Sequence, residues 1–185
     1  MQSTGHSELV RIVEGSDLPV IVDTFPEAAA APVNRHLQRF RLQQQGAVTC
    51  LVAWDATRPV GYVFVRWPAG GGGLTSQALA LGCPELADLF VIEHARGRGI
   101  GRELVEMAES IVAARGFAQV GLEVTTDNPY NAVARGLYER LGYRDAGFGE
   151  FVSGYTYWDA NGAPQRDEEL HRYLVKHLDV LTQNR

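Results

Sequence analysis

ELADLFVIEHARGRGIGRELVEMAESIVAARG, residues Glu85 to Gly116, is the stretch whose reading decides the fold. Its first part, Glu85 to Glu93, ends in an almost unbroken apolar run, as expected of a central strand buried on both faces. The glycine-arginine loop of Arg96, Gly97, Arg98, Gly99, Ile100, Gly101 and Arg102 follows. Beyond it, Ile100, Leu104, Met107-Ala108 and Ile111-Val112 recur at helical spacing, and Gly116 stands where a C-terminal cap belongs. Glycines at such a strand-to-helix turn permit positive φ and close backbone approach. The unpaired N–H groups of a first helical turn, aided by the helix dipole, suit a phosphate or pyrophosphate. The same loop also fits a tight turn carrying solvated arginines.

Working outward, FAQVGLEVTT (Phe117 to Thr126) reads as the next strand, with Val120, Leu122 and Val124 on one face and Gly121, Glu123 and Thr125 on the other. Asp127-Asn128-Pro129 marks a helix start, Val133, Leu137 and Leu141 form the helix's apolar stripe, and Gly142 ends it. Upstream, Thr49 to Asp55 and Pro59 to Trp67 form a hairpin, and Pro32 to Gln45 fits an amphipathic helix ending at Gly46. Downstream, Phe151 to Trp158 is a late strand turned at Asn161-Gly162. A final helix is expected from about Asp167, with Leu170, Tyr173-Leu174, Leu178 and Leu181 on one side. The order predicts an α/β fold with a mixed sheet.

Composition narrows the function. The 185 residues suit a single domain over 1–185, and the 17 basic and 22 acidic side chains give a net charge of −5. Lys176 is the sole lysine and precedes His177, so the Lys-Ser/Thr end of a phosphate-binding P-loop is missing. The acidic balance argues against nucleic acid as a partner. No apolar run is long enough for a membrane span, and MQSTGHSELVR lacks the features of a signal peptide, so no membrane and a cytoplasmic setting are expected. Cys50 and Cys83 have no metal or redox spacing and read as core residues. His171 and His177, six apart on the expected last helix, do not form an i, i+4 metal pair, and no metal is expected. Alternating Gly97, Gly99 and Gly101 also depart from the dinucleotide fingerprint, which weakens an oxidoreductase reading.

Arg96-x-x-Gly99-x-Gly101 after LFVI, then a helix, the strand LEV, and Asn131 followed by LYERLGY (Leu137 to Tyr143) resembles the GCN5-related N-acetyltransferase (GNAT) superfamily. The resemblance is strongest over residues 85–143. It implies a mostly antiparallel mixed sheet flanked by helices, with a central pair of parallel strands splayed to hold acetyl-CoA as co-substrate. The pyrophosphate would rest on the loop around Arg98 to Arg102. The pantetheine arm would pair with the backbone at Leu89 and Val91. Asn131, seven residues before Tyr138, would contact the coenzyme arm, although Asn128 is an alternative. Tyr138 would stand beside the thioester sulfur as the acid. Without the family, Asn131 could merely satisfy a helix terminus, and Tyr138 could be a half-buried interface aromatic beside Leu137.

The resemblance further implies direct attack of a primary amine in a ternary complex, so no protein nucleophile is needed. A neutral amine, a stabilised oxyanion and a protonated leaving sulfur are the demands of that chemistry. An N–H near Leu89–Val91 would serve the oxyanion. Glu123 matches the catalytic glutamate of some ribosomal-protein acetyltransferases in the superfamily. Glu85, Asp88 and solvent remain alternatives as base, and His94 faces the wrong end of the coenzyme. A small-molecule or peptide amine is the expected partner, and homodimers are common in the superfamily. The competing reading is a non-catalytic acyl-CoA-binding sensor on the same fold, against which Tyr138 weighs as a proton donor that a pure binder does not need.

Overall fold

The computed structural model describes residues 9–25, 34–71, 73–126, 132–159, 161 and 163–179. The deciding stretch folds as strand, loop and helix: β4 (Glu85–Val91) leads through a single 3-10 turn and the glycine loop into α4 (Ile100–Ala114). The apolar end of β4 is not buried on both faces, since Phe90 is exposed. On α4, Ile100, Leu104, Val105, Ala108 and Val112 are buried, while Met107 is exposed. Full burial of each large apolar side chain stabilises by about 1.5–3 kcal/mol, so this face fixes α4 to the sheet.

Before β4 come β1 (Leu9–Ile12), α1 (Leu18–Thr24), α2 (Arg35–Gln44), β2 (Val48–Asp55), β3 (Arg58–Arg66) and α3 (Ser76–Leu81). Asn34 caps α2 by accepting the N–H groups of His36 and Leu37, and Thr75 caps α3 by accepting that of Ala78. After α4 come β5 (Gln119–Thr125), α5 (Ala132–Arg140), β6 (Arg144–Asp145), β7 (Phe151–Trp158) and β8 (Pro164–His177). The sheet runs β1-β2-β3-β4-β5-β8-β6, with β7 also on β8. Every pairing is antiparallel except β4 with β5. One apolar core lies between the sheet and α4 and α5; a second lies under α1 and α2. The result is the mixed, mostly antiparallel α/β sheet that the resemblance implies.

Two expectations are corrected. Residues from Asp167 form no helix; they are the inner half of β8, which pairs His171–His177 with β5. Leu170 and Tyr173-Leu174 do sit at helical spacing, but the free edge of β5 needs hydrogen-bond partners and β8 supplies them. The second correction concerns α5. Val133 is 80% exposed, whereas Tyr138 is buried in the main core and Ala134 packs against it. The expected helix start at Asp127-Asn128-Pro129 lies outside the described residues.

Local details explain the β5–β8 seam. A Cβ on Gly121 would lie 2.3 Å from the Tyr173 hydroxyl oxygen, so only glycine lets that buried ring cross β5. Lys176 Nζ donates to Glu109 Oε2 at 2.6 Å, tying β8 to α4. Both partners are largely buried, and removing one leaves the other charge stranded. Lys176→Ala should therefore cost about 2–3 kcal/mol, visible as a lower denaturation midpoint with an unchanged slope. An unaltered midpoint would show that the pair contributes nothing net.

Cys50 and Cys83 are both buried and free, as expected of core residues. Burial pushes the Cys50 thiol up to about 12, leaving it a poor nucleophile.

Candidate active site

Strands β4 and β5 pair over only two positions, Glu85 with Gly121 and Leu86 with Leu122. The cause of their parting lies in β4. Phe64 opposes Ala87 and Tyr62 opposes Phe90, so Asp88 and Leu89 together face the single residue Val63 of β3. This is a β-bulge, and Asp88 adopts φ +54° within it. A bulge bends its strand and increases twist, which swings the end of β4 away from β5.

The gap opens into a cavity of about 320 Å³ whose walls include Glu85, Asp88, Leu89, Glu123, Tyr138 and His171. Leu89 and Val91 pack toward the core beneath α4 and α5. Tyr138 comes from α5, with its ring edge-on to Tyr143 at 5.6 Å between centroids. Burial, reinforced by the charge of Asp88, pushes its phenol above the ordinary tyrosine value. It is therefore held in the protonated form at neutral pH.

Three carboxylates reach the cavity in different states. Glu85 is 2% exposed, bound by Arg66 Nη1 at 3.0 Å and by the Thr75 hydroxyl at 2.5 Å. Burial raises its pKa despite these donors. Asp88 is ion-paired to Arg39, whose guanidinium lies 4.2 Å from the centroid of the Phe64 ring. Glu123 accepts a hydrogen bond from Ser153 Oγ at 3.2 Å and has His171 Nδ1 3.4 Å from its Oε2. His171 Nε2 stands 3.1 Å from Thr125 Oγ1 and 3.8 Å from Glu169 Oε2, with Phe151 edge-on to the ring.

At the other end of the gap, Gly97 and Gly99 have φ of +77° and +95°, and Gly99 caps α4. The N–H groups of Arg102 and Glu103 both close on the Gly99 carbonyl, at 2.9 and 3.1 Å. Those of Ile100 and Gly101 precede the first intrahelical bonds and point out of the helix end. A Cβ on Gly97 or Gly99 would meet nothing within 4 Å, so the loop faces open space. Gly101 faces Leu137, Leu89 and Val91, which joins the loop to the cleft. Arg96 donates from Nε to the Val91 carbonyl at 2.9 Å, bracing the loop against the strand end. Arg98 pairs with Asp55 at 3.2 Å.

The sequence profile described as "Acetyltransferase (GNAT) family" matches residues 19–143. The chain belongs to this acetyltransferase family. Among curated proteins none matches the sequence. Solved structures similar to this GNAT chain include the ribosomal-protein-S18-alanine N-acetyltransferase of Escherichia coli. That likeness has 20% identity and a TM-score of 0.61, over 96% of this chain and 98% of that one. Arabidopsis thaliana NAA60 in complex with acetyl-CoA is similar at 17% identity, TM-score 0.67, over 94% and 99%. A GNAT superfamily phosphinothricin acetyltransferase from Sinorhizobium meliloti, in complex with AcCoA, is similar at 17%, TM-score 0.63, over 97% and 92%. At these identities the likeness establishes the fold.

Of the residues singled out in the sequence, the GNAT fold brings Leu89, Glu123 and Tyr138 to one cavity and sets Arg96 to Arg102 at the helix end beside it. Asn131 and Asn128 lie outside the described residues. His171 was missed as a wall of this cavity because its segment reads as helix. A usable signal was present: Asn161-Gly162 after a strand is a hairpin turn, which requires a returning strand. Among the described residues no cluster of side chains suited to a metal is found, and no helix is long and apolar enough to cross a membrane.

Proposed function

We propose that this GNAT protein transfers the acetyl group of acetyl-CoA to a primary amine by direct attack within a ternary complex. The observation that carries the reading is the single cavity holding Tyr138 and Glu123 at the parting of β4 and β5. The open glycine loop suits the coenzyme's phosphates, because small residues and outward N–H groups leave room and donors there. The bound coenzyme supplies the acyl group as a thioester. Leu89 and Val91 offer strand-edge backbone groups to the coenzyme arm. The Val91 carbonyl is already held by Arg96, which leaves N–H donors for the arm and for a developing oxyanion.

Glu123 takes one proton from the substrate ammonium, and the neutral amine attacks the thioester carbonyl. As the carbon–sulfur bond breaks, Tyr138 gives its proton to the leaving sulfur while the second nitrogen proton restores the phenol. Glu123 is preferred over Glu85 and Asp88 because those two are engaged by Arg66 with Thr75 and by Arg39. His171 packs beside the Glu123 carboxylate, its Nδ1 3.4 Å from Glu123 Oε2 and its Nε2 3.1 Å from Thr125 Oγ1.

The test is coenzyme-thiol release across polyamines, amino acids, antibiotics and peptide N-termini, with calorimetric binding of acetyl-CoA alongside. Glu123→Gln should lower kcat by about 10²-fold with unchanged coenzyme affinity. A Gln variant with wild-type kcat would transfer the role of base to solvent. Tight acetyl-CoA binding without turnover of any amine would replace the enzyme with the sensor.

A further inference from the structure

A second groove adjoins the cavity on the side of α2. It has a volume of about 210 Å³ and is walled by Arg35, Gln38, Arg39, Phe64, Arg66 and Asp88 among others. Arg66 and Asp88 belong to the walls of both spaces, so the two communicate at those side chains. The electrostatics reverse across that line. The cavity side carries Glu85, Asp88 and Glu123 against Arg66, whereas the groove carries three guanidiniums against Asp88. In a chain of net charge −5, this is a local concentration of positive charge. Two of the three, Arg35 and Arg39, come from α2, which holds no acidic residue, and the third, Arg66, from the end of β3.

We infer that the acceptor is a small zwitterion, with its amine in the cavity beside Glu123 and Tyr138 and its carboxylate in the arginine groove. The inference rests on the transfer reading above and adds the chemical class of the substrate. Arg39 is held by the Phe64 face and by Asp88, and Arg66 by Glu85. Each guanidinium has five N–H donors in a fixed fork, so one ion pair leaves donors for a second anion. A carboxylate matches that fork in two parallel hydrogen bonds. Asp88, fixed at the bulge between the two spaces, keeps the anion on the groove side by repulsion and favours the ammonium on the other. A diamine entering the same path would bring its second cation up to three guanidiniums, an unfavourable like-charge approach. The cavity alone is of the size that holds small ligands, and the groove extends it.

Matched pairs test this directly. Glycine, β-alanine, γ-aminobutyrate and lysine are compared with methylamine, ethylamine, propylamine and cadaverine in thiol release, with acetyl-CoA binding measured in parallel. At least one zwitterion should show kcat/KM about tenfold or more above its decarboxylated partner, the usual value of a charge-assisted hydrogen bond. Arg35 is exposed on α2 and lines the groove but not the cavity, so it is the residue to change. Arg35→Ala should raise KM for that zwitterion about tenfold, retain kcat, and leave kcat/KM of the plain amine unchanged. Plain amines used as well as or better than every zwitterion would overturn the substrate class while leaving the transfer reading standing. The same holds if Arg35→Ala slows both members of a pair equally. Coenzyme binding without transfer to either member of any pair would overturn the transfer reading itself, and the zwitterion with it.

Discussion

Tyr138→Phe should bind acetyl-CoA as the wild type does and lose about 10²–10⁴-fold in kcat. The ring is buried beside Tyr143 and packs in the main core, so the phenylalanine keeps the shape of the cleft wall. What goes is the hydroxyl. Burial and the nearby Asp88 hold that phenol above its ordinary pKa, so it carries its proton across the neutral range. A thiolate leaving group, with pKa near 8.5 by analogy with cysteine, departs at neutral pH more easily when protonated. The interaction develops only as the carbon–sulfur bond breaks, and its loss belongs in kcat and kcat/KM, not in coenzyme affinity. Steady-state thiol release alongside calorimetry separates the two. A Phe variant with near wild-type kcat, where chemistry limits the rate, would remove Tyr138 from the mechanism.

Gly99→Glu should reduce acetyl-CoA affinity below detection, at least about 100-fold, with the fold retained. Gly99 caps α4 at φ +95°, with open space where a side chain would grow. A carboxylate there would occupy the end of the helix where N–H groups point outward, and its charge would repel a pyrophosphate. Any non-glycine residue at that φ also carries strain of order 1–3 kcal/mol. Gly99→Ala supplies the control, since it bears the strain without the charge or bulk. The alanine variant should show a lowered melting temperature with much of its coenzyme affinity intact. Equal affinity in the folded Glu variant would place the phosphate site elsewhere.

The loop and Tyr138 were legible for different reasons. Arg96 to Arg102 is read from local pattern: an apolar run, alternating glycines and a helical period all lie within one stretch of chain. Strand alternation places Glu123 on the face opposite Leu122 and Val124, but it was singled out as a base through the resemblance. Tyr138 was legible only through the resemblance, because Val133, Leu137 and Leu141 compete with it as the inward face of α5. The structure turns Tyr138 inward and leaves Val133 in solvent. That rotation follows from where the cores of β5 and Tyr143 lie, not from the helix's own sequence.

The segment 167–177 marks the boundary between the two kinds of information. Its spacing satisfies both a helix with Leu170 and Leu174 inward and a strand with Leu174 inward, and nothing within it decides between them. The choice is made by β5, whose edge must be paired, and by β7, which pairs antiparallel with β8. That choice carries His171 to Glu123 across the β5–β8 ladder. Likewise Arg35 and Arg39 on α2 meet Arg66 on β3 only because α2 packs over the sheet. By itself, then, the sequence determined the strand–loop–helix at Glu85–Gly116 and the family it belongs to, because interactions between near neighbours set periodicity and turn geometry. The tertiary structure alone decided β8, the partner of Glu123 and the arginine groove, because strand pairing and side-chain convergence depend on residues far apart in the chain.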